Sequence, residues 1–103
     1  MLMDAIFGLG SPGSNTRYYD EVNGISLHEA LIAAINSFEG SGAADTKEVI
    51  LDRFGLIDGK LKTLQEVGRA LMLSDSQAAR LELSGLRRLR HPSRSSKLKI
   101  YIK

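Results

Sequence analysis

Apolar residues recur at helical spacing in several separate stretches of the chain, and short runs of breakers divide them. Leu27, Leu31, Ile35 and Phe38 follow one another at intervals of four, four and three, with Ala30 and Ala34 alongside. A helix turns once every 3.6 residues, so these positions share one face and predict an amphipathic helix ending near Phe38. Ser26 stands just before it and Glu29 three residues later, the spacing of a capping box. After Glu39-Gly40-Ser41-Gly42, a second helix is predicted from about residue 44 to residue 54, with Val49, Ile50 and Phe54 inward. Gly55 then takes the place of a left-handed residue after a helix, and Asp58-Gly59 makes a turn. Leu64, Val67, Gly68 and Leu71 give a third face, opened by Thr63 and Glu66 as another capping box. Gly68 inside that helix costs roughly 1 kcal/mol relative to alanine, and close approach of the following helix is its expected reason. A tight turn at residues 72–74 leads to the longest helix. Ser74 and Gln77 cap it, Ala78, Leu81, Gly85 and Leu89 form its inner stripe with Leu86 adjoining, and Pro92 stops it.

The ends of the chain lack such periodicity. Gly8, Gly10, Pro12, Gly13, Asn15, Asn23 and Gly24 break up residues 8–24, and breakers at that density make a stable element unexpected. Residues 1–25 are therefore expected to be a flexible or extended N-terminal arm. Its apolar start, Met1 to Phe7, either docks on a partner or is disordered. Residues 26–103 are expected to form one all-α helix-turn-helix domain with four main helices. Residues 94–103 form a basic tail whose Ile-Tyr-Ile ending suits a short turn or strand.

Composition narrows the chemistry. In 103 residues, 43% hydrophobic and 6% aromatic with no Trp, only a small aliphatic core can be built. The absence of Cys excludes disulfides and thiolate metal sites, and His28 and His91 alone make no metal cluster. No stretch approaches the ~20 apolar residues of a membrane span. The first residues lack the basic region and long apolar run of a signal peptide, so a cytoplasmic protein without cofactor is expected. No pair of carboxylates recommends itself as acid and base, and no serine sits in a nucleophile elbow. Gly8-Leu9-Gly10-Ser11-Pro12-Gly13 has no preceding strand and is interrupted by proline, which argues against a phosphate loop. Binding rather than catalysis is the expected activity.

Charge is distributed unevenly. Residues 1–59 hold three bases against nine acids, a net −6, whereas residues 60–103 hold eleven bases against three acids, a net +8. A basic half beside an acidic half is a footprint of nucleic-acid-binding modules. Arg87, Arg88, Arg90, Arg94, Lys97 and Lys99 gather at and beyond the end of the long helix. There they either follow a phosphate backbone or an acidic partner, or simply oppose the negative end of the helix dipole.

Two separated blocks carry a family resemblance. Thr63-Leu64-Gln65-Glu66-Val67-Gly68 and Leu86-Arg87-Arg88-Leu89-Arg90-His91-Pro92-Ser93-Arg94 resemble, at the right spacing, region 4 of the primary bacterial sigma factors, and Arg53-Phe54-Gly55-Leu56 precedes them in the same order. The likeness extends over about residues 26–103. It implies a helix-turn-helix that contacts promoter DNA near the −35 position and binds RNA polymerase. Thr63, Ser74, Ser76, Gln77, Arg80, Arg87, Arg88, Arg90 and Arg94 would be its DNA-binding residues. In this family the first helices also hold the flap of the polymerase beta subunit in an apolar groove. That role would fall to Leu31, Ile35, Phe38, Ile50 and Phe54, which are first of all core residues.

The reading head departs from the family. Where region 4 has a run rich in Arg, Glu and Gln, this chain has Ser74-Asp75-Ser76-Gln77-Ala78-Ala79-Arg80-Leu81-Glu82. Asp75, Gln77 and Ala79 replace arginines, and Arg80 is the one cation left to pair a guanine. Either this head reads a different sequence, or it no longer reads DNA and its surface binds protein, with Leu83 on the outer side of the helix. A second chain of the same kind is then a possible partner. The chain has no room for the region that melts the −10 element. It is expected to be a piece of a sigma factor, a split-sigma subunit, or a regulator that borrowed the module.

Overall fold

A computed structural model of the chain describes residues 2–8 and 17–103. Among these, the elements in order are α1 (Leu2–Phe7), β1 (Glu21–Val22), β2 (Ile25–Ser26), α2 (Leu27–Asn36), α3 (Ala43–Arg53), α4 (Leu64–Leu71), α5 (Asp75–Arg90) and α6 (Pro92–Lys99). The all-α fold class expected from the periodicity is the fold observed. The predicted helix faces are also those that turn inward. Leu27, Leu31, Ile35 and Phe38 from α2 and its end are buried, as are Val49 and Ile50 of α3, Val67 of α4, and Ala78, Leu86 and Leu89 of α5. Leu81 is only half-buried. The left-handed Gly55 follows α3 at φ +65°, as expected.

Long α5 is the spine of the domain, against which α1, α2, α3, α4 and α6 all pack. Its closest neighbour is α3, and Gly85 makes that approach possible. A Cβ at residue 85 would lie 2.4 Å from Ile50 Cγ1 and 3.2 Å from Thr46 Cγ2. Arg53 near the end of α3 donates to Glu82 of α5 at 2.7 Å and also to the Lys62 carbonyl. Lys62 in turn bridges Asp52 at 2.6 Å and Asp58 at 2.8 Å, which fixes the turn before α4.

The N-terminal quarter differs from the expected arm. Leu2, Met3 and Ile6 of α1 are buried in the same core cluster as Leu31, Ile35, Ile50, Leu86 and Leu89. The apolar spacing of these three residues forms one helical face, and the core of so small a domain gains from burying it. Asn23 and Gly24 are not breakers of structure but the turn of a hairpin. Both adopt positive φ (54° and 82°), the geometry of a two-residue turn that Asn-Gly favours, and Glu21 and Val22 pair antiparallel with Ser26 and Ile25. The core therefore does not begin at residue 26. Met1 and the expected breakers Gly10, Pro12, Gly13 and Asn15 lie outside the described residues.

The C-terminal tail also differs. Pro92 ends α5 and at once opens α6 from its first position, where its missing N–H costs nothing. Leu98 of α6 is fully buried. Beyond α6, Tyr101 is buried and donates its hydroxyl to the Ile25 carbonyl at 2.8 Å. Residues 101–103 run beside residues 17–19, with backbone bonds from Tyr19 N to Tyr101 O (2.7 Å) and from Lys103 N to Arg17 O (2.9 Å). The Ile-Tyr-Ile ending makes a turn and a single antiparallel bridge, Ile102 to Tyr18, in keeping with the expected short turn or strand, whereas the helix before it is not expected from the sequence.

Candidate nucleic-acid interface

The helix-turn-helix is fixed at both starts by reciprocal capping boxes. Glu66 N donates to Thr63 Oγ1 (3.1 Å) while Thr63 N donates to the Glu66 carboxylate (3.0 Å). Gln77 N donates to Ser74 Oγ (3.1 Å) while Ser74 N donates to Gln77 Oε1 (2.9 Å). Each box satisfies two of the amides that a helix start leaves open. Acceptance of the Thr63 amide also holds the Glu66 carboxyl below its ordinary range. By contrast, Ser26 makes the forward half of its box, accepting from Glu29 N at 3.1 Å.

The turn between α4 and α5 depends on two residues. Met72 takes the left-handed conformation at φ 59°, and Leu73 N then closes onto the Gly68 carbonyl at 2.7 Å. That closure brings the Leu73 carbonyl to 2.8 Å from where a Cβ at residue 68 would stand. Gly68 therefore makes room for the turn's own backbone and not, as expected, for the next helix.

On α5, Ser76, Arg80, Leu83 and Arg87 follow at intervals of four, three and four, opposite the buried stripe, and all four are exposed. Leu83 retains 45% of its surface. Among the described residues, the guanidinium groups of Arg80 and Arg87 have no hydrogen bond, ion pair or ring contact and so present their donors to solvent. Asp75, in the first turn, suits the positive end of the helix dipole. That is a structural reason for an acid at a place where the resemblance has arginine. Ser74, Gln77 and Thr63 are committed to their caps, although the Gln77 amide nitrogen is left to donate.

Three expected phosphate ligands are engaged within the domain. Arg88 donates to the carbonyls of Glu39 (2.7 Å) and Ser41 (3.2 Å). Arg94 donates to Ser37 Oγ (2.8 Å), the Ser37 carbonyl (3.0 Å) and the Arg88 carbonyl (3.2 Å). Both guanidinium groups lie near the Phe38 ring, at 5.6 Å and 5.2 Å from its centroid, a cation–π arrangement. Arg90 donates to the carbonyls of Ala5 (2.8 Å) and Ile6 (3.1 Å) at the end of α1. The physical reason is common to all three. The end of α1, the C-cap of α2 and the loop before α3 leave carbonyls without helical partners, and arginines at the end of α5 and the start of α6 are close enough to satisfy them. Periodicity and charge do not reveal such tertiary partners. The residues expected to form the apolar partner groove are likewise committed: Leu31, Ile35, Phe38 and Ile50 are each 3% exposed or less, and only Phe54 remains half-buried.

No family model matches the chain. Proteins similar to it include several RNA polymerase sigma factors. SigA of Clostridium acetobutylicum is 40% identical over 76 residues, which is 74% of this chain and 19% of that protein. SigA of a Nostoc species is 36% identical over 84 residues, 82% of this chain and 20% of that protein. SigA of Listeria monocytogenes is 46% identical over 59 residues, 56% of this chain and 16% of that protein. The chain spans about a fifth of the length of the first two relatives. With its capped helix-turn-helix and the two blocks that flank it, the chain is a relative of the primary sigma factors and carries a sigma region 4-like domain.

Proposed function

We propose that the chain is a transcription module that binds RNA polymerase and contacts promoter DNA near the −35 position through the outward face of α5. The observation that carries this reading is the exposed stripe of Ser76, Arg80 and Arg87 on the second helix of a rigidly capped helix-turn-helix. In such motifs the second helix enters the major groove and reads bases through its N-terminal residues. On this reading Arg80, exposed on that stripe, pairs a guanine, with Ser76 and the Gln77 amide as weaker donors. Arg87 lies further along and suits a phosphate, with Lys97 and Lys99 beyond it. Arg88, Arg90 and Arg94 support this face by holding α1 and α2 against α5. The polymerase contact belongs to the earlier helices, and its flap is the partner that the resemblance suggests. A polarisation titration of labelled duplex at two salt concentrations, together with capture of core polymerase from a bacterial lysate, tests the reading. Salt-sensitive duplex binding and polymerase capture are expected, and the absence of both would reject it.

A second reading rests on Leu83. Its exposure between Arg80 and Arg87, with Ala79 nearby and Asp75 at the head of the helix, also suits packing against another helix. On that reading the module keeps the scaffold, has lost specific DNA reading and regulates or sequesters a transcription component. Leu83→Glu would then abolish partner binding and leave the fold intact.

A further inference from the structure

We propose that two copies of this chain pair antiparallel through the exposed face of α5, and that the pairing closes this face to DNA. The proposal rests on the second reading above, to which it supplies the partner. Asp75, Ala79, Leu83 and Arg87 follow at intervals of four along α5, and all four are exposed. Residues four apart form a ridge on a helix surface, and the commonest packing of two helices sets such ridges side by side. This ridge reads acid, small apolar, large apolar, base. Turned end for end, it reads as its own complement. Residues 75 and 87 are centred on residue 81, and so are residues 79 and 83. A second copy laid antiparallel, with a two-fold axis level with residue 81, therefore sets Arg87 of each copy against Asp75 of the other. The same operation sets Leu83 of each, 45% exposed, into the room left by Ala79 of the other. A two-fold interface requires this kind of self-complementarity, and no other sequence is needed to supply it. The charges at the two ends are also available. Among the described residues, neither the Asp75 carboxylate nor the Arg87 guanidinium has a hydrogen bond or ion pair. They stand about 18 Å apart along the helix and cannot satisfy each other within one chain. The consequence for DNA follows from size. The major groove is about 12 Å wide and admits one helix, itself about 10–12 Å across with its side chains. A paired α5 cannot enter it, so self-association and base reading exclude each other.

Sedimentation equilibrium of the full chain over a range of concentrations tests the pairing. One helix face is a small seam, so the native dimer is expected to be weak and concentration-dependent. Asp75→Arg and Arg87→Asp each bring like charges together at both ends of the seam, and each should raise the dissociation constant at least about tenfold. Mixing these two singly substituted chains sets a ridge with bases at both ends against one with acids at both ends, and should restore the dimer. Leu83→Glu should leave a monomer, with circular dichroism showing every variant folded. In polarisation, the Leu83→Glu chain should bind a labelled duplex more tightly than the native chain does at concentrations where the native chain pairs. A native chain that stays monomeric at its highest soluble concentration would overturn the proposal. A dimer indifferent to all three substitutions would take the seam off this face, and one that the mixture fails to restore would overturn the antiparallel register. Duplex binding by the native dimer as tight as by the monomer would overturn the closing of the DNA face. A monomeric native chain that instead binds core polymerase through Leu83 would end the self-pairing and leave the second reading standing.

Discussion

Individual side chains divide between the scaffold and the proposed reading surface. Thr63 and Ser74 belong to the scaffold. Each accepts an amide at a helix start, so Thr63→Ala and Ser74→Ala should each cost about 1 kcal/mol in thermal melts followed by circular dichroism; no loss at either would contradict the capping boxes. Gly85 and Gly68 are tight for different reasons. Alanine ordinarily favours a helix over glycine by about 1 kcal/mol, but at residue 85 it would meet buried Ile50 and Thr46. Gly85→Ala should therefore destabilise by about 1–3 kcal/mol in the same melts, and a gain in stability would mean that α3 and α5 are further apart than described. At residue 68 the obstacle is the Leu73 carbonyl, so substitution there should disturb the turn. The arginines should separate cleanly. Arg90→Ala removes two charge-assisted bonds to α1 and should cost about 1–2 kcal/mol of stability. Arg80→Ala should leave stability unchanged and relax DNA sequence preference by about 1–3 kcal/mol. Sequence alone sets Arg80 apart but gives Arg87, Arg88, Arg90 and Arg94 as one undifferentiated basic cluster. What distinguishes them is the position of carbonyls from residues 5, 6, 37, 39 and 41, which the one-dimensional spacing does not carry.

Elements with strong periodicity and paired caps were legible: α2, α3, α4 and α5 follow from apolar spacing, Ser/Thr caps, Gly55 and Pro92. The short elements were not. Six residues give too little periodicity to predict α1, whose helical state depends on burial against α5. The Asn23-Gly24 pair carried a hairpin signal, but two-residue strands offered no alternation to support it. In α6 the first turns are Pro, Ser and Arg, and its single buried apolar residue, Leu98, makes no stripe. Attachment of α1 has a pH signature of its own. Burial and the bond to Asp4 push the Tyr18 hydroxyl up to about 12 from an ordinary 10.0, and the same bond lowers the Asp4 carboxyl. A raised value in the fold means that the neutral hydroxyl is favoured there. The stabilisation is therefore complete below pH 10 and is lost as pH rises towards 12. The Asp4 contribution has the opposite sense: present above its ordinary 3.8 and lost as pH falls through the lowered value. Tyr18→Phe should flatten the alkaline loss in melting temperature measured across this range. An identical alkaline profile in the variant would mean that Tyr18 does not help to attach α1.

At the scale of the whole molecule, the acidic and basic halves of the chain fold into one unit, since α1, α2 and α3 all pack on α5. The proposed division of labour follows: the earlier helices face polymerase and the outward stripe of α5 faces DNA. Asp75 and Ala79 stand on the same helix where the resembling family keeps arginines. Asp75→Arg combined with Ala79→Arg exchanges a charge that repels phosphate for two that attract it, so duplex affinity should rise severalfold at low salt. The gain should come with some loss of stability, because Asp75 sits at the positive end of the helix dipole. The most direct measurement is a polarisation titration of the native chain, Arg80→Ala and Arg87→Ala against a labelled duplex carrying a −35 element and a scrambled duplex, each at low and high salt. The account predicts that Arg80→Ala narrows the difference between the two duplexes, while Arg87→Ala weakens both alike and flattens the salt dependence. Equal binding of both duplexes by the native chain, with no effect from either arginine, would contradict it and take the outward face of α5 off the DNA.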